Sequence, residues 1–217
     1  FTGRSMAPIN TADFVGLDVH KAIVDNLYDN TSDYVNASYR LPAYVQELID
    51  EGKLGRKAGQ GLYKSVLMDN GKRRFYVYDI AKKIYRDPIA YTFSFKEDMM
   101  AALRVGDYET AFRGLVDNRS AEARLCVEFL LKYIVYSLYC ARLVGQRPQD
   151  ADDVMAAGFN WAPPLAVIDA LGGAENVERL VYERLPRGLC DAADAGQLLR
   201  GVPASEYDYR RYFKAKK

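Results

Sequence analysis

Residues that build redox centres, metal sites and acid–base pairs are scarce in this 217-residue chain. Its three cysteines, Cys126, Cys140 and Cys190, are far apart and form no C-x-x-C pair, which argues against zinc ribbons and dithiol redox motifs. The single histidine, His20, has only the nearby Asp18 as a candidate orienting partner, so we expect it on a helix surface. The sequence therefore predicts no catalytic residue, no metal site, and reduced thiols in a cytoplasmic protein.

The chain also has no strong net charge and no long apolar run. Its formal charge is +1 and its pI about 7.8, so neither a nucleic acid nor an anionic membrane is an expected partner. The most apolar stretch, residues 125–144, is interrupted by Glu128, Lys132 and Arg142, which makes it too polar for a membrane span. What remains is globular material, 49% apolar, long enough for one or two domains.

Helix start and stop signals fill the first part of the chain. Pro8 and Gly16 bound a short predicted helix. Asp18 is placed to cap a second helix that runs to about residue 28. Pro42 is predicted as the first residue of a third helix, which Gly52 ends.

A short region of alternating apolar and polar residues follows. The runs LYKSVLM (62–68) and KRRFYVYD (72–79) are joined by Asp-Asn-Gly, which predicts one small β-hairpin. Beyond it, segments 91–106 and 107–117 predict two modest helices.

The strongest helix prediction runs from Ser120 to Val144 and ends at Gly145. Its predicted buried face, at three- and four-residue steps, comprises Cys126, Phe129, Leu130, Tyr133, Ile134, Ser137, Cys140, Ala141 and Val144. Further helices are predicted over 174–185 and 189–201.

Asp150 is predicted to cap a short helix through Ala157, with Asp152 and Asp153 in its first turn. A catalytic carboxylate pair is the alternative interpretation of Asp152 and Asp153. Capping is favoured because adjacent residues on a helix point apart.

Two stretches of the chain resemble each other, GRSMAPINTADFVGLD (3–18) and FNWAPPLAVIDALGG (159–173). At one constant offset they align Pro8 with Pro164, Asp13 with Asp169, and Gly16 with Gly172. Such self-similarity, with a helix after each copy, predicts a duplicated unit. The second copy follows a long helix and the first follows only two residues, so we expect the chain to be the C-terminal piece of a longer protein.

The same motifs resemble a known family. GRSMAPINTADFVGLD, followed by LPAYVQELIDEGKLGRKAGQGLYK, is similar to the C-terminal domain of 3-hydroxyacyl-CoA dehydrogenases, including its closing glycine-rich segment, here residues 55–63. The stretch DADDVMAAGFNWAPPLAVIDALGG resembles the second such domain of longer members. The family's glycine before the proline is replaced by Ala7 in one copy and Pro163 in the other, and the second change predicts a remodelled turn.

The resemblance implies a parent enzyme that oxidises 3-hydroxyacyl-CoA with NAD in fatty acid β-oxidation, using a histidine–glutamate pair on a Rossmann domain. The chain has no G-x-G-x-x-G after a strand, so we predict no cofactor-binding residue and a missing N-terminal Rossmann domain. The family's asparagine on the long helix falls near Glu128 in the second copy. By resemblance, Met6, Pro8 and Phe14 are candidate lining residues of the acyl-CoA pocket, or else pack one helix against the next.

The basic residues of the glycine-rich loop and the single tryptophan each have two possible interpretations. Arg56, Lys57 and Lys64, in and beside the glycine-rich loop, could meet CoA phosphates or could be solvated charges on a packing loop, the favoured alternative. Trp161, the lone tryptophan, fits a core or an interface.

The predicted fold is all-α: two tandem helical units like the C-terminal domain of 6-phosphogluconate dehydrogenase, with one small β-hairpin between them. The predicted limits are 1–64 for the first unit, 65–95 for the hairpin or linker, and 96–217 for the second unit. The predicted role is the dimerisation and substrate-pocket portion of the dehydrogenase, inactive alone, with a second copy of the chain in a homodimer as a candidate partner. The alternative is a stand-alone helical assembly module without enzymatic activity.

Overall fold

A computed structural model describes Arg4 and residues 6–214. Within these residues it has eleven α-helices and one three-stranded antiparallel sheet, which confirms the mostly helical class. Gly3 and Ser5, which belong to the first repeated motif, lie outside the described residues. None of the helices in the described part of the chain is long and apolar enough to cross a membrane.

The described chain divides into two compact units. The first is Met6–Tyr91, and the second contains Arg4 and residues 92–214. The division falls inside the segment 65–95, which the sequence predicted as hairpin or linker, and the whole sheet belongs to the first unit.

The first unit combines three helices with the sheet. Its elements are α1 (Pro8–Val15), α2 (Leu17–Asn30), α3 (Ala43–Asp50), β1 (Tyr63–Leu67), β2 (Arg73–Asp79) and β3 (Ile84–Arg86). Gly16 ends α1 and also precedes the first residue of α2, with φ of 114°, a conformation that favours glycine. Because Gly16 takes this position, the prediction that Asp18 caps α2 is wrong; Asp18 lies in the first turn. Pro42 likewise lies just before α3 rather than within it.

One face of the sheet packs against the buried core of the first unit. It runs β1-β2-β3, so the predicted hairpin is present and the sequence analysis missed the third strand. Tyr63 pairs with Val77 and Ser65 with Phe75, which fixes the register of the hairpin. The buried core of this unit comprises Leu17, Val45, Leu48, Leu62 and Tyr78.

The second unit is built around one long helix. Its elements are α4 (Ser94–Arg104), α5 (Tyr108–Asp117), α6 (Ala121–Val144), α7 (Gln149–Asp153), α8 (Pro164–Ala170), α9 (Ala174–Arg184), α10 (Arg187–Ala193) and α11 (Ala195–Leu199). The Ser120 hydroxyl caps α6 by accepting from the Ala123 N–H, and Gly145 follows its last residue, as predicted.

The buried face of α6 is broader than the predicted stripe. Leu130, Ile134, Ser137 and Ala141 are buried as predicted, whereas Val144 is 88% exposed. Cys126, Phe129, Tyr133 and Cys140 are only half-buried, and Ala123, Val127, Leu131, Val135 and Leu138 are buried instead. The cause is that α5, α8, α9 and α11 pack around α6 from several sides, so no single stripe contains its core contacts.

Two predicted helices of the second unit are interrupted. The segment 189–201 is split into α10 and α11 at Asp194, whose left-handed backbone (φ 55°, ψ 49°) ends the first of them. After α7 the chain widens into a π-helical turn, Val154–Gly158, where a continuous helix to Ala157 was predicted.

Candidate functional site

A buried carboxylate connects α1 to the sheet of the first unit. Asp13, 6% exposed, accepts hydrogen bonds from the backbone N–H of Leu62 (2.6 Å) and of Tyr63 (3.3 Å). Burial raises the pKa of Asp13, and the two amide donors oppose that rise. We call this arrangement the first aspartate clamp, because it fixes the repeated helix to residues 49 and 50 positions downstream.

The glycine-rich loop closes around this clamp. A Cβ on Gly55, whose φ is 100°, would lie 2.2 Å from the Asp13 carbonyl oxygen. A Cβ on Gly61 would lie 2.5 Å from the Asp13 carboxylate and 2.4 Å from the Cα of Gly55. These glycines therefore allow backbone to approach backbone, which accounts for them by packing, without a phosphate ligand.

The second copy of the motif has a matching clamp on α8. Asp169, at the position of Asp13 in the repeat, accepts a hydrogen bond from the backbone N–H of Ser205 (3.0 Å). The residues before the two helices have almost the same backbone, with φ −62° and ψ 147° at Ala7 and φ −62° and ψ 142° at Pro163. The predicted remodelling of the second turn by Pro163 is therefore wrong, because extended backbone with this φ suits proline.

Asp152 reinforces the second clamp and is not a helix cap. It is 1% exposed and accepts from the Leu165 N–H (2.7 Å) and from the Ser205 hydroxyl. Burial raises its pKa to about 6, against the lowering effect of these donors. The sequence analysis missed this role because Leu165 and Ser205 lie 13 and 53 positions further along the chain.

The neighbouring aspartates hold loops rather than one another. Asp150 accepts from the N–H groups of Gln146 (2.7 Å) and Arg147 (3.1 Å), so it orders the turn before α7. Asp153 accepts from the Tyr207 hydroxyl (2.8 Å) and pairs with Arg147. The prediction against a catalytic carboxylate pair is consistent with these separate partners.

A cavity of about 720 Å³ lies in the first unit between α1, the glycine-rich loop and the sheet. Met6 and Phe14, two of the predicted pocket residues, line it, whereas Pro8, the first residue of α1, is not among its lining residues. Its other lining residues are Asn10, Asp13, Arg56, Gly59, Tyr63, Lys64, Ser65, Arg73, Phe75, Val77 and Pro88. A volume in this range is typical of small-molecule sites.

The basic side chains in and near the cavity differ in their contact partners, which are aromatic rings, a hydroxyl or a carboxylate. The Arg56 guanidinium lies 5.1 Å from the Phe14 ring centroid, and the Lys64 ammonium 5.4 Å from that of Tyr85. Arg73 donates to the Ser65 hydroxyl at 3.2 Å. Lys57, by contrast, is 2.6 Å from the Asp18 carboxylate, whose pKa this hydrogen bond lowers, and it does not line the cavity.

Arg73 and Phe75 are among the lining residues that the sequence analysis did not single out. Both lie in the predicted strand 72–79, where two-residue alternation places them on one face with Val77. The alternating pattern therefore predicted that these side chains share a face. Which face of the hairpin lines a cavity depends on where α1 packs, and the strand pattern does not give that position.

The remaining candidate residues lie on helix surfaces or in packing contacts. His20 is half-buried on α2, and Glu128 lies 3.8 Å from Lys132 on α6. In the second unit the Arg4 guanidinium lies 3.6 Å above the Trp161 ring, which packs against Phe159 at 4.9 Å. The described residues contain no group of three or more histidine, cysteine, aspartate or glutamate side chains that could hold a metal ion.

Comparison with known proteins identifies the first copy of the motif. The family model described as "3-hydroxyacyl-CoA dehydrogenase, C-terminal domain" matches residues 1–65. This confirms the resemblance over the segment that contains α1, the glycine-rich loop and the first aspartate clamp. No solved structure gives a significant match to the chain.

One curated relative extends the similarity over most of the chain, and others match a shorter segment. A "Probable 3-hydroxyacyl-CoA dehydrogenase" of Bacillus subtilis is 27% identical over 183 residues, which is 80% of this chain and 21% of that protein. A "Probable 3-hydroxybutyryl-CoA dehydrogenase" of Deinococcus radiodurans is 39% identical over 59 residues, 27% of this chain and 20% of that protein. The human "Hydroxyacyl-coenzyme A dehydrogenase, mitochondrial" is 37% identical over 62 residues, 29% of this chain and 19% of that protein. The chain thus spans about a fifth of the length of these relatives.

Proposed function

We propose that this chain is the C-terminal, non-catalytic portion of an NAD-dependent 3-hydroxyacyl-CoA dehydrogenase, which oxidises 3-hydroxyacyl-CoA to 3-oxoacyl-CoA. The observation that carries the proposal is the family match over residues 1–65, whose motif residues converge on the Asp13 clamp. The chain's share of its relatives, about a fifth, supports a parent that also contains the nucleotide-binding domain.

In this proposal the chain contributes packing surface and part of the substrate pocket. Several apolar side chains of α1 and α2 are exposed, including Ile9 (55%), Val15, Val19 and Ile23. Such a surface is costly in water and suits an interface with the Rossmann domain or with a second subunit. Met6 and Phe14, together with Pro8 at the start of α1, are proposed to contact the acyl part of the substrate.

The cofactor and the chemistry are assigned to the rest of the parent enzyme. NAD and the histidine–glutamate pair are proposed to belong to the Rossmann domain, and a cytoplasmic location remains part of the proposal. The three cysteines are free thiols, in keeping with a reducing compartment.

Two measurements test this proposal. The chain alone is expected to form no NADH from 3-hydroxybutyryl-CoA, and the longer protein translated from the sequence upstream of Phe1 is expected to form it. Activity of the isolated chain would contradict the division of labour. An upstream sequence without a strand–glycine–helix segment would favour the stand-alone assembly module instead.

A variant of the longer protein tests the pocket role. Phe14→Ser is expected to raise KM for a long acyl chain at least fivefold while changing KM for 3-hydroxybutyryl-CoA less than twofold, because only a long chain reaches the ring. Leu67→Ser, an exposed apolar change on β1 outside the cavity lining and outside the α1–α2 surface, is the matched control. Equal effects of Phe14→Ser on both substrates would remove Phe14 from the acyl pocket.

A further inference from the structure

The positive charge of the chain is concentrated in one short segment. Residues 210–217, RRYFKAKK, contain five of its 30 lysines and arginines and none of its 29 aspartates and glutamates. The other residues therefore have 25 basic and 29 acidic side chains, a net charge of −4. The net charge of +1, which argues against an anionic partner for the chain as a whole, does not describe this segment. A block of like charges of this length is typical of segments that bind an oppositely charged partner.

Aromatic contacts hold the start of this segment against α5 of the second unit. Phe213 is 3% exposed and packs edge-on against Phe112, with ring centroids 4.9 Å apart. Tyr209 packs against the same ring at 6.0 Å. The Tyr108 hydroxyl donates to the Arg210 carbonyl oxygen at 3.4 Å. The backbone that carries the first cations of the segment is therefore fixed by packing.

The cations of the same turn lie on its outer side. Arg210, Arg211 and Lys214 are all exposed. Asp208 accepts from the Arg210 N–H (3.0 Å) and lies 3.6 Å from its guanidinium. Arg211 and Lys214 form no ion pair within the described part of the chain. From Ser205 to Lys214 every exposed side chain is charged, so this surface has no exposed apolar side chain.

The make-up of this surface favours a membrane over a nucleic acid or a protein as its partner. Tyr209 and Phe213 pack inward, so they are not available to stack on bases, a contact on which single-strand binding relies. Protein interfaces are centred on buried aromatic or apolar anchors, which the exposed side chains here do not provide. Anionic phospholipid surfaces attract basic segments through charge, and clusters of four to eight lysines and arginines are typical of such segments.

We propose that the basic segment 210–217 attaches the second unit to the surface of bilayers rich in anionic phospholipids. Because Asp208 partly neutralises Arg210, the attraction comes mainly from Arg211 and the three lysines of the segment. Attachment by one basic segment, without an inserted apolar group or a lipid anchor, is reversible and is screened by salt. The inference does not depend on the proposed dehydrogenase function, because it concerns where the protein is held and not what it oxidises.

Flotation of the whole chain with lipid vesicles tests the proposal directly. Phosphatidylcholine vesicles with about 30% phosphatidylglycerol are expected to bind the chain at low salt at least tenfold more strongly than vesicles of phosphatidylcholine alone. Raising the salt concentration to about 0.5 M is expected to release it, because salt screens exposed charges. Equal binding to the two kinds of vesicle, or binding that salt does not weaken, would overturn the proposal.

Charge variants assign the binding to this segment. Arg211→Gln with Lys214→Gln is expected to weaken binding to the anionic vesicles at least fivefold, whereas Arg211→Lys with Lys214→Arg keeps both charges and is expected to bind like the parent chain. Lys72→Gln with Lys82→Gln removes the same charge from exposed positions of the first unit and is expected to change binding less than twofold. Circular dichroism verifies that each variant is folded. Equal losses in the two neutralised proteins would show attraction by overall charge and would contradict the site.

Competition with RNA separates the two classes of anionic partner. An oligouridylate of about 20 nucleotides, supplied at the same phosphate concentration as the anionic lipid, is expected to leave the chain bound to the vesicles. Its displacement of the chain would assign the segment to nucleic acid and overturn the membrane proposal. Retention on the vesicles, together with the loss of binding in the Arg211→Gln, Lys214→Gln protein, would support it.

Discussion

The repeated helices α1 and α8 share a template and differ in what surrounds them. Each begins at a proline, each contains a clamped aspartate, and a glycine with positive φ follows each. On α8 the side chains from Pro164 to Ile168 are buried, because the helix packs against α6. On α1 only Asp13 is buried, and Ile9 at the position of Leu165 is 55% exposed. The clamp is therefore a property of the motif, whereas burial depends on the helices that pack on it.

The largest expected effect comes from exchanging the aligned apolar residues for alanine. Leu165→Ala removes a fully buried side chain and is expected to lower the free energy of unfolding of the second unit by about 2–5 kcal/mol. Ile9→Ala is expected to cost about 0.5 kcal/mol, because more than half of the side chain is exposed. Urea unfolding followed by circular dichroism measures both. A cost for Ile9→Ala as large as that for Leu165→Ala would abolish the contrast between the two helices.

A smaller difference is expected between the two clamps. Asp13→Ala leaves the buried Leu62 N–H without its acceptor and is expected to cost about 2–3 kcal/mol of unfolding free energy. Asp169→Ala removes one hydrogen bond at a half-buried site and is expected to cost about 1 kcal/mol, since Asp152 still holds Ser205. Asp13→Asn, which keeps an accepting oxygen, serves as the control. The idea fails if Asp13→Ala unfolds at the same urea concentration as the parent chain.

The third prediction concerns pH and Asp152, the buried carboxyl that reinforces the second clamp. A carboxyl whose pKa rises from 3.8 to about 6 on folding binds its proton more tightly in the native state. Its contribution to stability therefore increases as pH falls through about 6 and levels off below about 4, by an amount on the order of 3 kcal/mol.

The comparison chain for this prediction is Asp152→Asn, which retains an acceptor for Leu165 and does not titrate. Unfolding free energies between pH 4.5 and 7 are expected to rise toward acid in the parent chain relative to the variant. Parallel curves for the two proteins would mean that Asp152 titrates normally. Below pH 4 both proteins are expected to lose stability alike, because Asp150 and Asp107 then begin to lose their charge. The pKa of Asp150 is lowered by the Gln146 and Arg147 N–H donors, and that of Asp107 by hydrogen bonds from the Thr110 side chain and N–H.

Local signals in the sequence were sufficient for most of the helices and for the hairpin. Ser120 and Gly145 bound α6 as predicted, because capping depends on residues within one turn of the helix end. The hairpin followed from alternation and an Asn-Gly turn. The break at Asp194 was missed because a non-glycine residue in the left-handed conformation has no distinctive sequence pattern.

The contacts of the candidate site were harder to predict from the sequence, because they join residues far apart along the chain. The sequence pointed to Met6 and Phe14 through the motif, and they do line the cavity, although their contact with a substrate stays a prediction. The partner of Asp13 could not be read from the sequence, since Leu62 is 49 positions away. Asp152 was assigned to a cap because its residue type and spacing suit one, and only the three-dimensional arrangement brings Ser205 to it.

The clamps also bear on the order in which the chain can acquire its structure during synthesis. The acceptor on α1 emerges well before its donor at Leu62, and the acceptor on α8 precedes Ser205 by 36 residues. Until each donor has been synthesised, its aspartate lacks the backbone N–H that offsets the cost of burying a carboxylate. We therefore expect neither α1 nor α8 to pack in its final position before that point. Each copy of the motif can therefore complete its clamp only after the donor residue has been synthesised. The number of residues between acceptor and donor sets how long that step is delayed.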